Sequence, residues 1–262
     1  MTPVFLTIAG SDSSAGAGVQ ADLKTGCALG CYPLTAVTCV VSEVPGRVAA
    51  LCPMEPDFVV SQVQLAFEAF PVAALKTGML YSPQIVRAVA EILPPGVPLV
   101  VDPVMVATAG ADLMLSDTLA AYTEHLFPRA ALLTPNKDEL LRLTSGERIE
   151  SVEEQQAAAL ELAARFSCAV LAKGGHMPGA VCTDVLAMPD GSTRLYTHAR
   201  TPGIPTHGTG CTLSAAVTAH LAHGLPLEQA VEHALSSTAE SIAHSFNWGA
   251  TYALAHNSGI AH

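Results

Sequence analysis

Short apolar runs recur along the chain, each stopped by small or polar residues, and stretches of helical periodicity stand between them. Val4 to Ala9 is the first run, closed by Gly10-Ser11-Asp12, and the stretch from Val19 to Leu29 behind it reads as a helix. Thr35 to Val41 is rich in β-branched residues and predicts a strand. Asp57 to Phe70 predicts an amphipathic helix, with Val59, Val63, Ala66, Phe67 and Phe70 on one 3.6-residue face. Further runs at Ala73–Lys76, Leu99–Asp102, Ala130–Thr134 and Ala169–Lys173 predict short buried strands, separated by helices over Pro83–Leu93, Ser116–Leu126, Asn136–Leu143 and Val152–Phe166. Val181–Met188 and Thr193–His198 flank Pro189-Asp190-Gly191, a turn sequence that suits a late hairpin. Two long helices follow, one from near Thr209 to His223-Gly224, the other opening at Pro226 and running to about Phe246. This alternation predicts an α/β fold, a mostly parallel sheet covered by helices on both faces. No internal repeat, low-complexity tract or linker interrupts it, so residues 1–262 read as a single domain.

Composition narrows the function classes. Half the residues are hydrophobic and 13% are charged, which excludes disorder, collagen and coiled coil. No apolar run approaches the roughly 18 residues of a membrane span, and Met1–Gly10 lacks the basic start of a secretion signal. A cytoplasmic protein without membrane partners is expected. The formal net charge is −11, with 12 Lys plus Arg against 23 Asp plus Glu and no basic cluster, which argues against nucleic acid. It leaves phosphate ligands open, because backbone amides and helix N-termini carry local positive potential whatever the overall balance. The seven cysteines, an odd count without a Cys-x-x-Cys pair, are expected to be reduced and mostly buried. His220 and His223 fall on one helix face, but no third ligand lies near in sequence and no HExxH pattern occurs, so the histidines read as surface or capping residues.

Candidate chemistry gathers where open parallel sheets bind ligands, at the carboxyl ends of strands. The loop Gly10-Ser11-Asp12-Ser13-Ser14-Ala15-Gly16-Ala17-Gly18 lets a ligand approach the backbone closely, yet its spacing fits neither a P-loop nor GxGxxG. His207-Gly208-Thr209-Gly210-Cys211-Thr212 sets glycines around a helix start, and the amides there suit a transferring phosphoryl group. A helix N-terminus favours thiolate, so Cys211 either accepts a proton from a substrate hydroxyl or completes the pocket. A Gly-rich helix entry with a buried cysteine is the plain alternative. Asn136 and Glu139 read equally as phosphate and metal organisers or as a helix start with an acid in its first turn. Lys173 ends a strand before two glycines and reads either as a phosphate contact or as a solvated lysine. Met79 taken alone reads as core packing, and Lys76 as an exposed residue.

Six segments together carry a resemblance. They are Thr7-Ile8-Ala9-Gly10-Ser11-Asp12 with Gly16 to Thr25, Lys76-Thr77-Gly78-Met79-Leu80, Asp102-Pro103-Val104-Met105, Thr134-Pro135-Asn136 with Glu139, Lys173-Gly174-Gly175-His176, and Gly208-Thr209-Gly210-Cys211. In this order they resemble the hydroxymethylpyrimidine/phosphomethylpyrimidine kinases of thiamine biosynthesis, over about residues 4–245. The resemblance implies a ribokinase-like three-layer sandwich and transfer of a phosphoryl group from ATP, with Mg²⁺, to the hydroxymethyl oxygen or existing phosphate of an aminopyrimidine. It implies that Gly208, Thr209, Gly210, Cys211 and Lys173 act at the transferring group, Cys211 as the base. Asn136, Lys173, His207 and Thr209 would hold ATP, Glu139 and Asp102 the metal, and Gly10, Asp22, Glu43, Met79 and Val106 the pyrimidine. A homodimer is implied as well. Glu43 departs from the pattern, since these kinases carry a glutamine there; an amide both donates and accepts, whereas an ionised carboxylate only accepts. Glu43 is therefore expected to alter substrate choice if it faces the ring. The rival readings are a pyridoxal kinase, a cysteine-dependent acyl transferase using His207 as its base, and a pyrimidine-binding sensor without turnover.

Overall fold

The computed structural model describes residues 1–105, 115, 117–144, 148–175, 177, 179–201, 207–249 and 251–256. Strand β1 (Val4–Asp12) lies inside the sheet and pairs in parallel with β2 (Tyr32–Val44) on one side and β4 (Val72–Thr77) on the other. From β4 the sheet continues in parallel through β5 (Leu99–Val101), β6 (Leu132–Leu133) and β7 (Ala169–Ala172). Antiparallel strands finish both edges, β3 (Arg47–Pro53) beside β2, then β8 (Val181–Ala187) and β9 (Thr193–Ala199) beyond β7. The resulting order is β3-β2-β1-β4-β5-β6-β7-β8-β9.

Period-two alternation decides which helices each strand meets. Val101, Leu133 and Val170 point into the layer formed by α2 (Pro56–Ala69), α3 (Pro83–Ile92), α5 (Lys137–Leu143) and α6 (Val152–Phe166). A helical segment opening at α4 (Thr118–Ala121) and running on to Arg129 adds Tyr122, Leu126 and Phe127 to that layer. Val100, Leu132, Ala169 and Leu171 point the other way, against α7 (Thr209–Ala222) and α8 (Leu227–Ala243). Helix α1 (Gly18–Ala28) packs beside α7 on that second face. Each aliphatic side chain so buried contributes about 1.5–3 kcal/mol, which is why short central strands with few polar residues hold their places. Capping fixes the helix starts: Ser151 with Glu154 and Asn136 with Glu139 form capping boxes, and Ser82 accepts from the Ile85 N–H behind Pro83.

Three features depart from the pattern reading. β1 does not stop at Ala9, because after a register shift Ser11 and Asp12 still pair with Val40 and Val41. β3 escapes detection because it is an edge strand with no fully buried residue, so no alternation marks it. The last helix ends at Ala243 rather than about Phe246, and β10 (Phe246–Trp248) folds onto β11 (Thr251–Ala253) as a small hairpin. Among the described residues, no helix is long and apolar enough to cross a membrane.

Candidate active site

Strand order reverses beside β1, since the chain steps to β2 on one side and then returns to β4 on the other. Crevices at the carboxyl ends of strands flanking such a reversal are where open α/β sheets bind ligands. A cavity of about 500 Å³ lies there, and it receives residues from β1, β2, β4 and the loops after β5, β6 and β7. The first turn of α7 closes one side.

An α-helix supplies no internal partner for its first N–H groups, and the N-cap residue of α7, Gly208, has no side chain with which to cap them. Gly208, Thr209, Gly210 and Cys211 all contribute to the cavity wall, so the positive end of a 14-residue helix faces the space. Gly208 adopts φ 80°, and a Cβ there would lie 1.8 Å from the Gly16 carbonyl oxygen, so only glycine lets the two loops interlock. His207 completes the contact. Its Nε2 lies 3.0 Å from Oδ2 of Asp12, whose carboxylate also accepts from the N–H groups of Ser14, Gly16 and Ala17. Burial alone would raise the Asp12 pKa, but the bonds from His207, Ser14 and Ala17 outweigh it and hold the carboxyl at about 2.

Cys211 corrects one expectation. Burial pushes its thiol up to about 11, against the charge of Lys76 and a hydrogen bond from the Gly18 N–H, so it is protonated at neutral pH rather than a thiolate. The His207 ring is bound through Nε2 to Asp12, and the buried thiol is not the thiolate on which an acyl transferase would depend.

Opposite the helix start, Lys173 donates to Oδ1 of Asp102 at 2.9 Å and stands 4.0 Å from Oε2 of Glu139. It is no solvated lysine, with 13% of its side chain exposed. Asp102 also accepts from Thr134 at 3.1 Å and from Ser214 at 3.3 Å. Burial works against its charge, yet Lys173 and Lys76 together hold its pKa below the usual value. Burial pushes Glu139 up to about 7, with Lys173 pulling the other way and the Asp102 charge adding to the rise. The capping alternative for Asn136 and Glu139 is realised without removing them from the cavity. Asn136 Oδ1 accepts from the N–H groups of Asp138 and Glu139, Glu139 accepts from the Asn136 N–H at 2.7 Å, and both residues line the wall.

Residues 12–256 match the family model described as phosphomethylpyrimidine kinase. The chain belongs to this family. It is 42% identical to the hydroxymethylpyrimidine/phosphomethylpyrimidine kinase of Rhizobium meliloti, covering 89% of this chain and 88% of the relative. The Geobacter sulfurreducens thiamine biosynthesis bifunctional protein ThiED is 40% identical across 87% of this chain. The chain spans about half the length of that protein and of some other relatives, 47% in this case. Among solved structures, an ADP complex of pyridoxal kinase from Bacillus subtilis superposes with a TM-score of 0.89 at 31% identity, covering 98% of each chain. These likenesses make the ribokinase-like sandwich the fold of this phosphomethylpyrimidine kinase family member.

Most motif residues meet in the cavity of this family member, but not all. Asp22 is fully buried and absent from the wall: both its oxygens accept from Lys76 Nζ at 2.8 Å, and Oδ2 accepts from Thr7 at 2.6 Å. Lys76, expected to be exposed, is the buried cation of that ion pair, and unlike Asp22 it also lines the cavity. Gly10 packs so closely that a Cβ would stand 2.8 Å from Met79 Cε and 2.9 Å from Cys39 Sγ. Met79 serves both as core, with Cys39 and Val41, and as wall. Glu43 is half-buried and lines the cavity; burial, then the Asp12 charge, raises its pKa. Ser13 joins the loop after β1 to this position, donating to the Glu43 carbonyl at 2.7 Å and accepting from its N–H at 2.8 Å. Val106 and His176 lie outside the described residues. Cys27 and Cys52 are exposed, against the expectation for cysteines, and all seven are free. His220 packs edge-on against His233 and His223 meets the Leu29 carbonyl, so neither faces a shared ion. Asp12, which no motif argument singled out as functional, organises the first loop; its place just before six small residues, Ser13 to Gly18, is the signal that could have found it.

Proposed function

We propose that this chain is an ATP-dependent kinase for 4-amino-5-hydroxymethyl-2-methylpyrimidine and its monophosphate, supplying the diphosphate used to assemble thiamine. One observation carries the reading: the glycine-bracketed start of α7 opens into the same cavity as Lys173, Asp102 and Glu139. Phosphoryl transfer asks a protein chiefly to position reactants and to stabilise charge on the moving group. Oriented amides of the first α7 turn do this without reorganising, and the Lys173 ammonium adds a point charge from the facing strand end. ADP in the Bacillus subtilis relative supports ATP as the phosphoryl donor here.

Asp102 and Glu139 offer hard carboxylate oxygens at the cavity wall, a donor set that fits Mg²⁺, which takes few protein ligands and keeps several waters. When bound, Mg²⁺ supplies charge neutralisation at the phosphates. Asn136 keeps Glu139 oriented by accepting its N–H, so the capping box and the metal role work together.

Gly10, Met79 and Glu43 form the acceptor end, where the ring would lie with its hydroxymethyl group toward Cys211. A protonated Glu43 carboxyl donates one hydrogen bond and accepts another, the pattern an aminopyrimidine edge requires. Burial of Glu43 favours that form. Incubating the protein with Mg-ATP and hydroxymethylpyrimidine, its phosphate or pyridoxal, and measuring ADP release, tests the reading. Release dependent on the two pyrimidines is expected. Equal or faster release with pyridoxal, or tight pyrimidine binding without ADP, overturns it. Glu43→Gln, which donates and accepts at every pH, is expected to preserve pyrimidine turnover.

A further inference from the structure

The turn that carries Lys173 into the cavity is held from two sides. Gly174 lies flat against β8, where a Cβ would come 2.0 Å from the Thr183 carbonyl oxygen, so only glycine permits the approach. Its N–H donates to Oδ1 of Asp184 at 2.8 Å, and the Lys173 N–H donates to the Pro135 carbonyl at 2.9 Å. From the other side the Arg200 guanidinium donates to the carbonyls of Gly175 at 2.7 Å and Gly179 at 2.9 Å, and to that of Met177.

Asp184 is an unexpected residue to find there. It is 3% exposed on a strand whose next three residues, Val185, Leu186 and Ala187, are fully buried and apolar. Its Oδ2 has no hydrogen-bond partner among the described residues, and the nearest cation candidate is His198, with Nδ1 at 3.5 Å on the exposed neighbouring strand. Burial raises the Asp184 pKa, opposed by the Gly174 N–H, His198 and Lys173. A carboxyl group buried with so few partners costs stability that an aliphatic residue would not. What it does that an aliphatic residue could not is fix one N–H, that of the residue following Lys173.

We propose that Asp184 is a positioning residue for the nucleotide: by anchoring the Gly174 N–H it keeps the Lys173 ammonium and the Gly175 backbone at the phosphate end of the cavity. The inference rests on the kinase reading. Asp184 is absent from the cavity wall and acts through the turn, which lines the wall at Lys173 and Gly175. Loss of the anchor lets the turn relax about its glycines, weakening contacts to phosphate while leaving the acceptor end, built on β1, β2 and β4, unchanged.

The test measures ADP affinity by calorimetry without acceptor, and KM for ATP and for the pyrimidine, in wild type, Asp184→Ala and Asp184→Asn. Asp184→Ala is expected to weaken ADP binding and raise the KM for ATP by about tenfold, with pyrimidine KM nearly constant. Asparagine keeps an acceptor for the Gly174 N–H and is expected to restore most of the loss. A folded Asp184→Ala protein with wild-type ADP affinity overturns the proposal, as does an equal loss in Asp184→Asn. Should the alanine variant fail to fold, Asp184→Ser, whose shorter hydroxyl leaves the N–H unreached, takes its place in the same comparison. Wild type that binds ADP but phosphorylates no pyrimidine sinks the kinase reading alone, since the ADP comparison still decides the role of Asp184.

Discussion

At Cys211 two environments pull in opposite directions, the helix start toward thiolate and burial toward thiol, and burial prevails to leave the group at about 11. A phosphoryl transfer that leaves the acceptor proton in place until late needs no thiolate in the resting site. Burial raises the Glu139 pKa to about 7, and its ionised form suits a cation. Turnover is therefore expected to rise with pH through about 7, and Glu139→Gln to remove that limb together with most activity. Cys211→Ala is expected to lower kcat by roughly 10²-fold without moving the limb; a pH–rate profile of both variants reads this directly. The stability sign is opposite: a carboxyl whose pKa is raised on folding favours the fold most below its ordinary pKa of 4.5 and loses that advantage as pH rises through about 7.

Between elements, the decisive joint is the one between the loop after β1 and the start of α7. Asp12 ties both together through His207 and three loop N–H groups, and Gly208 touches the Gly16 carbonyl. Its pKa is depressed from 3.8 to about 2, so its contribution is present above the ordinary carboxylate pKa and fades as pH falls through about 2. Asp12→Asn is expected to cost about 2 kcal/mol at pH 7 and nearly nothing at pH 2, measured by urea unfolding at the two pH values. A cost that persists unchanged in acid would assign the effect to packing. The Asp22–Lys76 pair belongs to the same support: a buried ion pair in which Asp22 holds from behind the lysine that lines the cavity.

For the whole molecule, a cavity shared among three strands, the loops after three more and a helix end predicts that ligand and fold stabilise each other. ADP at 100 times its dissociation constant is expected to raise the unfolding free energy by about 2.7 kcal/mol, seen as an upward shift of the thermal midpoint; no shift at saturating ADP would contradict the placement of nucleotide in this cavity. Much of the architecture was legible beforehand because buried parallel strands must be apolar runs and their covering helices must be amphipathic, as at Leu99–Val101 and Val152–Phe166. The glycine-bracketed helix start and the strand-end Lys173 were legible for a similar reason, since close backbone approach and helix entry restrict which residues fit. Edge strand β3 and the β10–β11 hairpin were not, because exposure leaves no hydrophobic period to read. Amino-acid order by itself determined the layers, the site's position at the strand ends and the types of group available there. Only tertiary structure decided that Lys76 is buried against Asp22, that His207 serves Asp12, and that Cys211 keeps its proton. Charge states and partners depend on which distant segments exclude water and share a few ångströms, and neither quantity is encoded in local spacing.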